Sequence, residues 1–237
     1  MKWSCYTSLA LIFVSISTFI LQSPLAKENS LKNGKWALQF EIDRDFDLAA
    51  FQGTTLSIKR QTADNRAYRL GLTIFLDFGD GEISRTGDGY PYVPTRYPGD
   101  RDFNTRRIDI NFQRIFYTDN SAPVNLFFGV GPTASFYHTK DEIDVRNASG
   151  TLIDFQENIA NASSLGASAI LGVEWFFTKD LSLLGEYGTS FTYAYSVRRQ
   201  QRRYVSTSTS YSFYNHEETS SFKISSANVK FGLSVYF

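Results

Sequence analysis

Ser226-Ala227-Asn228-Val229-Lys230-Phe231-Gly232-Leu233-Ser234-Val235-Tyr236-Phe237 closes the chain, and its reading decides the fold. The odd positions from Ala227 run Ala, Val, Phe, Leu, Val, Phe, and the even ones run Ser, Asn, Lys, Gly, Ser, Tyr. Period-2 alternation of this kind predicts a β-strand with one apolar and one polar face. The strand ends on an aromatic residue with nothing after it to cover an apolar edge, an arrangement that soluble sheets avoid. A closed barrel in a membrane removes the edge by pairing this strand with the first one, and turns the apolar face to lipid.

The other end of the chain carries the matching signal. Lys2 precedes an apolar run from Leu9 to Leu21, followed by Ser23-Pro24-Leu25-Ala26. That order predicts a secretory signal peptide over residues 1–26, with residues 27–237 as one barrel domain. Cys5, the single cysteine, falls inside the expected leader, so the exported chain is expected to hold no disulfide.

Removing residues 1–26 takes away one of the 24 Lys+Arg, Lys2, and none of the 24 Asp+Glu, leaving a net charge of about −1. A balance this even gives no footing for nucleic-acid binding. Phe and Tyr number 21 and 14, yet no second apolar run reaches the length of a spanning helix. Many aromatics without a membrane helix or disulfides point to an all-β protein.

Working back from the closing strand, seven further alternating segments appear: 35–43, 54–62, 66–78, 105–117, 125–137, 164–177 and 181–197. The third is typical, with Tyr68, Leu70, Leu72, Ile74, Leu76 and Phe78 set against Arg69, Gly71, Thr73, Phe75 and Asp77. Short turns follow segments two, four and six, whereas residues 79–104, 139–162 and 198–220 read as long polar loops. Short turns on one rim and long loops on the other are the asymmetry of a transmembrane barrel. The polar faces are rich in Gly, Ser, Thr and Ala, which suit the narrow inside of eight strands better than the Lys- and Glu-dense coat of a soluble barrel. Along the apolar faces Trp36, Phe116, Trp175, Phe177 and Phe237 gather near the short-turn rim and Tyr193 and Tyr195 near the other, two girdles around an aliphatic belt.

In these features the chain resembles the small eight-stranded outer-membrane β-barrel proteins, the group that includes the OmpA transmembrane domain, OmpX and the opacity proteins. The resemblance is one of architecture and covers nearly all of residues 34–237. It implies an antiparallel up-and-down barrel in the outer membrane of a Gram-negative-type bacterium. It also implies recognition of the terminal Phe237 by the barrel-assembly machinery.

Inward positions carry Glu41, Lys59, Arg69, Asp77, Arg107, Asp109, Glu174, Glu186 and Lys230. Unpaired charges in a packed lumen are costly. A network of Glu41, Lys59, Arg69, Asp109, Glu174, Glu186 and Lys230 is therefore expected to plug the barrel, with Glu174, Glu186 and Glu41 set against Lys230 and Lys59. The competing reading of these charges is a gated ion path. Arg198, Arg199, Arg202 and Arg203 lie just beyond the tyrosine girdle, where they are expected to meet lipopolysaccharide phosphates. Tyr90, Tyr92, Tyr97, Tyr204, Tyr211 and Tyr214 offer a loop surface for an extracellular ligand.

An enzymatic reading would have to use His138 near Ser135 or His216 near Glu217, and no motif surrounds either. Asp80, Glu82 and Asp88 lack the spacing of a calcium loop. No metal, cofactor or catalytic residue is expected. The sequence thus points to a monomeric or weakly associated barrel with a structural or surface-binding role. A narrow channel and a lipid-modifying enzyme are the alternatives.

Overall fold

The computed structural model describes residues 29–42, 55–89, 93–118, 122–147, 149–205 and 210–237. The expected signal peptide, Tyr90 and Tyr92 lie outside the described residues. Eight strands follow in order: β1 Trp36–Ile42, β2 Thr55–Ala63, β3 Arg66–Gly89, β4 Val93–Tyr117, β5 Val124–Arg146, β6 Leu152–Phe176, β7 Leu181–Val205 and β8 Ser210–Tyr236. Each pairs antiparallel with its sequence neighbour, and β8 returns to β1 to close the ring. The closing contact sets Leu38 opposite Val235 and Phe40 opposite Leu233, so the strand that ends the chain is also the seam.

Side chains divide between the two faces by simple alternation. Leu70, Leu72, Ile74 and Leu76 of β3 stand outward and exposed, while Arg69 is buried inside. Above the sealed base the wall is a single layer around a lumen, so its outward apolar residues have no second layer to pack against. The outer belt has measurable limits on β4. Ile108, Ile110 and Phe112 lie between the outward Arg106 and Arg114, eight residues apart, or roughly 27 Å along the strand and about 21 Å once tilted by ~40°. Arginines also stack on rings at both edges: Arg60 lies 5.2 Å from the Trp36 ring and Arg114 5.0 Å from Phe116 near the short turns, and Arg106 lies 5.6 Å from Phe78 at the far edge. Each keeps its stem on apolar surface and its charge at the margin.

Residues 79–104, 139–162 and 198–220, expected as loops, are instead mostly strand. β3 and β4 pair to Gly89 opposite Val93, β5 and β6 in register to Val145 opposite Asp154 and with one shift to Arg146 opposite Leu152, and β7 and β8 to Val205 opposite Ser210. Neighbouring hairpins also pair, from Gly99 opposite Val145 and from Asp154 opposite Tyr204, so the wall continues beyond the belt. Backbone hydrogen bonds hold these extensions. With most of both faces wet, apolar alternation shrinks to short pieces such as Ile143 and the buried Val145, and no long alternating segment is visible in the sequence.

β8 contains an irregularity that moves its apolar side chains from even to odd positions. Phe222 and Ile224 face outward, as do Val229 and Phe231, although the two pairs differ in parity. Between them β8 spends three steps, Ser225 to Asn228, against two on β7, Ser190 to Gly188. One extra residue is the signature of a bulge.

Close backbone approach between β6 and β7 explains Gly166. A Cβ there would collide with the carbonyl oxygen of Phe191 and lie 2.6 Å from Thr192 Cα. Gly166→Val is expected to cost about 1–3 kcal/mol in urea unfolding. Gly81→Ala, where nothing lies within 4 Å, should stay within about 0.5 kcal/mol of wild type.

Candidate functional site

The inward charges form two layers at the short-turn end of the lumen. In the lower layer, Glu174 on β6 is fully buried and accepts four groups. Its carboxylate lies 2.9 Å from Lys59 Nζ, and it receives hydrogen bonds from Ser182 Oγ at 2.6 Å and from the Tyr117 and Tyr236 hydroxyls at 2.7 Å each. Lys59 also donates to Tyr117 Oη at 2.7 Å, and its ammonium sits over the rings of Tyr117 and Tyr236 at 5.4 and 4.9 Å. One carboxylate and one ammonium are thus enclosed by hydroxyls and aromatic faces, which answers the cost of burying them.

The upper layer centres on Arg69 of β3. Its Nη1 lies 2.9 Å from Glu41 and 2.7 Å from Glu186, its Nη2 reaches Glu186 at 3.2 Å, and its Nε donates to Gln113 Oε1 at 3.0 Å. Gln113 passes the chain on to Ser168 Oγ at 3.1 Å. A planar guanidinium with five donors can serve two carboxylates and an amide together, which a lysine cannot. Lys230, from the closing strand, lies 3.7 Å from Glu41 and donates to Thr55 Oγ1 at 3.0 Å.

Asp109 is not part of this cluster. It pairs with Arg107, two residues away on its own strand, at 2.9 Å, higher in the lumen. Glu41 and Glu186 converge on Arg69, with Lys230 at the margin, so the arginine is the hub. Gln113, Tyr117, Ser182 and Tyr236 complete the two layers and were not among the residues singled out from sequence. Each stands at an inward position of its own strand towards the short turns, and that was the available signal.

Below the charges the lumen is closed by apolar packing. Ile115, Phe127 and Phe176 point inward, and Phe176 packs on Tyr236 with ring centres 5.2 Å apart. The segment before β1 completes the seal: Leu31 is buried among these residues, Ser30 donates to Asp180 at 2.6 Å, and Asn29 donates to the Ala122 carbonyl at 3.0 Å. Above the Arg69 layer the lumen instead widens into a cavity of about 990 Å³, with Glu41, Arg69 and Glu186 in its floor and Arg198 and Glu217 towards its mouth. Thr55, Thr133, Ser135, Ser164, Thr192 and Ser225 give the walls a hydroxyl lining.

The four arginines of β7 divide between faces. Arg198 lines the lumen across from Glu217, and Arg202 reaches inward to Asp154 by two hydrogen bonds of 3.1 and 3.0 Å. The bonds to Asp154 raise the Arg202 guanidinium above its ordinary pKa. Arg199 and Arg203 have the opposite parity and face outward. Tyr204 and Tyr211 are cross-strand partners on the extended β7–β8 hairpin, and Tyr214 lies opposite Gln201. His138 contacts Asn161 at 2.7 Å and His216 contacts Glu218 at 3.0 Å. Among the described residues neither histidine is hydrogen-bonded to a serine or threonine hydroxyl.

No family model matches the chain, and no curated protein sequence matches it. Solved structures do. A major outer membrane protein from Thermus thermophilus is similar over 86% of this chain and 99% of its own, at 12% identity and a TM-score of 0.45. Acinetobacter baumannii CarO2 is similar over 86% and 99%, at 11% identity and a TM-score of 0.41. CarO from the same organism covers 89% and 100%, at 10% identity and a TM-score of 0.35. The barrel assignment rests on the closed ring of strands itself.

Proposed function

We propose that the chain is an integral outer-membrane β-barrel with a sealed lumen, serving a structural or surface-binding role through its long-hairpin rim. The observation that carries this reading is the outer wall. Its apolar belt comes close to the roughly 25 Å apolar band of outer-membrane barrels, is edged by arginine–aromatic pairs, and surrounds a lumen that holds the buried charges. The short turns then lie in the periplasm and the extended hairpins at the cell surface. Export by residues 1–26 and recognition of Phe237 by the barrel-assembly machinery belong to the same proposal. So does contact of the outward Arg199 and Arg203 with lipid phosphates. The tyrosine-bearing hairpins are the surface offered to an extracellular ligand.

Against a channel stand the Arg69 layer, the Glu174 layer and the Leu31 seal, one below another across the lumen. Purified protein in planar bilayers is expected to show no discrete openings, and neither is Glu186→Ala, because the lower layer remains. Steady ohmic conductance in wild type would restore the channel reading.

A further inference from the structure

One cavity of the molecule lies on the outside of the wall. It measures about 440 Å³ and sits between β4 and β7 at the upper edge of the apolar belt. Cross-strand register explains the hollow. One row runs Ile108, Phe136, Ser163, Tyr195, so a serine stands between two exposed rings and leaves a slot over β6. The row above runs Arg106, His138, Asn161, Val197 and is polar at three of its four positions.

The head of the slot carries an arginine on either side, and the one carboxylate of its row, Glu218 opposite Val197, is taken up by the Tyr195 hydroxyl and His216 at 3.0 Å each. Arg106 donates its Nε to Asn104 at 3.1 Å and leans on Phe78, and has no carboxylate partner among the described residues. Beside it, His138 donates through Nδ1 to Asn161 Oδ1 at 2.7 Å. Arg199 lies one row higher on the same outer face. It is three strands from Arg106, or roughly 14 Å at ~4.8 Å per strand. An apolar slot ending in spaced cations, where the belt gives way to polar wall, has the complementarity of a lipid with acyl chains below and separated phosphates above.

We infer that this slot holds a bisphosphorylated glycolipid of the outer leaflet, the lipid A portion of lipopolysaccharide, with an acyl chain over Ser163 between Phe136 and Tyr195. One phosphate accepts from Arg106 and the other from Arg199. A glycerophospholipid with a single phosphate engages only one end of this head. The inference rests on the membrane reading above and adds the residues and the lipid class.

The test uses the full exported chain inserted in phosphatidylcholine vesicles doped with lipid A or, separately, with phosphatidylglycerol. Insertion is checked by protease protection, and lipid retained after mild detergent extraction is counted by mass. Wild type is expected to keep lipid A at about one per chain and to lose phosphatidylglycerol. Arg106→Gln, which removes a charge-assisted bond, and Ser163→Phe, which fills the slot, should each lower retention by about tenfold. Both positions face outward, so neither change disturbs the lumen. An inserted wild-type chain that keeps both lipids equally, or variants that retain lipid A like wild type, would overturn the inference while the membrane reading stands. A chain that fails to insert overturns both.

Discussion

Arg69→Met is expected to destabilise the barrel by about 3–5 kcal/mol, among the largest effects of any single lumen substitution. The arginine serves Glu41, Glu186 and Gln113 together, and its removal leaves two carboxylates and an amide oxygen in a buried layer with Lys230, 3.7 Å from Glu41, as the nearest cation. Arg69→Lys keeps the charge but loses the fork, and should fall between the variant and wild type. Adding Glu186→Gln to Arg69→Met should recover part of the loss, because one stranded charge is gone. Urea unfolding of the vesicle-inserted protein measures all three. Additive losses in the double variant would mean that the pair does not interact as the 2.7 Å contact requires.

The second large effect is an asymmetry in the lower layer. Glu174→Ala takes the acceptor from Lys59, Tyr117, Tyr236 and Ser182, leaving a buried ammonium and three hydroxyls to find new partners. Its cost should again be about 3–5 kcal/mol. Lys59→Met removes only one donor, and the carboxylate keeps three hydroxyls. The loss should therefore be smaller than for Glu174→Ala by about 1–2 kcal/mol. The order of the two unfolding midpoints decides the matter. A greater loss for Lys59→Met would show that charge balance, and not the hydroxyl cage, stabilises Glu174.

What the sequence revealed follows from where alternation has physical force. Between Tyr68 and Phe78 every second residue is outside, so the apolar pattern identifies strand and face together. Beyond the belt most residues meet water on both faces, and from Thr139 to Arg146 only Ile143 and Val145 alternate with charged neighbours, too short a run to mark a strand. The extended hairpins were therefore hidden. Alternation placed Arg69 and Glu186 on the inner face, but not opposite each other. Their meeting across the barrel is set by strand tilt and closure, which no local pattern encodes. Asp109 satisfies itself with Arg107 two residues away, and so drops out of the cluster. Leu31 precedes the first strand, outside any periodic segment, and its role in sealing the base follows only from the closed ring above it. The bulge in β8 does have a trace in the sequence, since the five-residue interval from Ile224 to Val229 cannot keep both side chains on one face of a regular strand.

The central claim is that the apolar outer wall meets lipid while the inner face does not. Single cysteines carrying spin labels at each position from 68 to 78 of β3, in the vesicle-inserted chain, test it directly. Access to oxygen dissolved in lipid is predicted to alternate with period two, high at Leu70, Leu72, Ile74 and Leu76 and low at Gly71, Thr73 and Phe75. Uniform access to a water-soluble relaxant at both sets of positions would contradict the account.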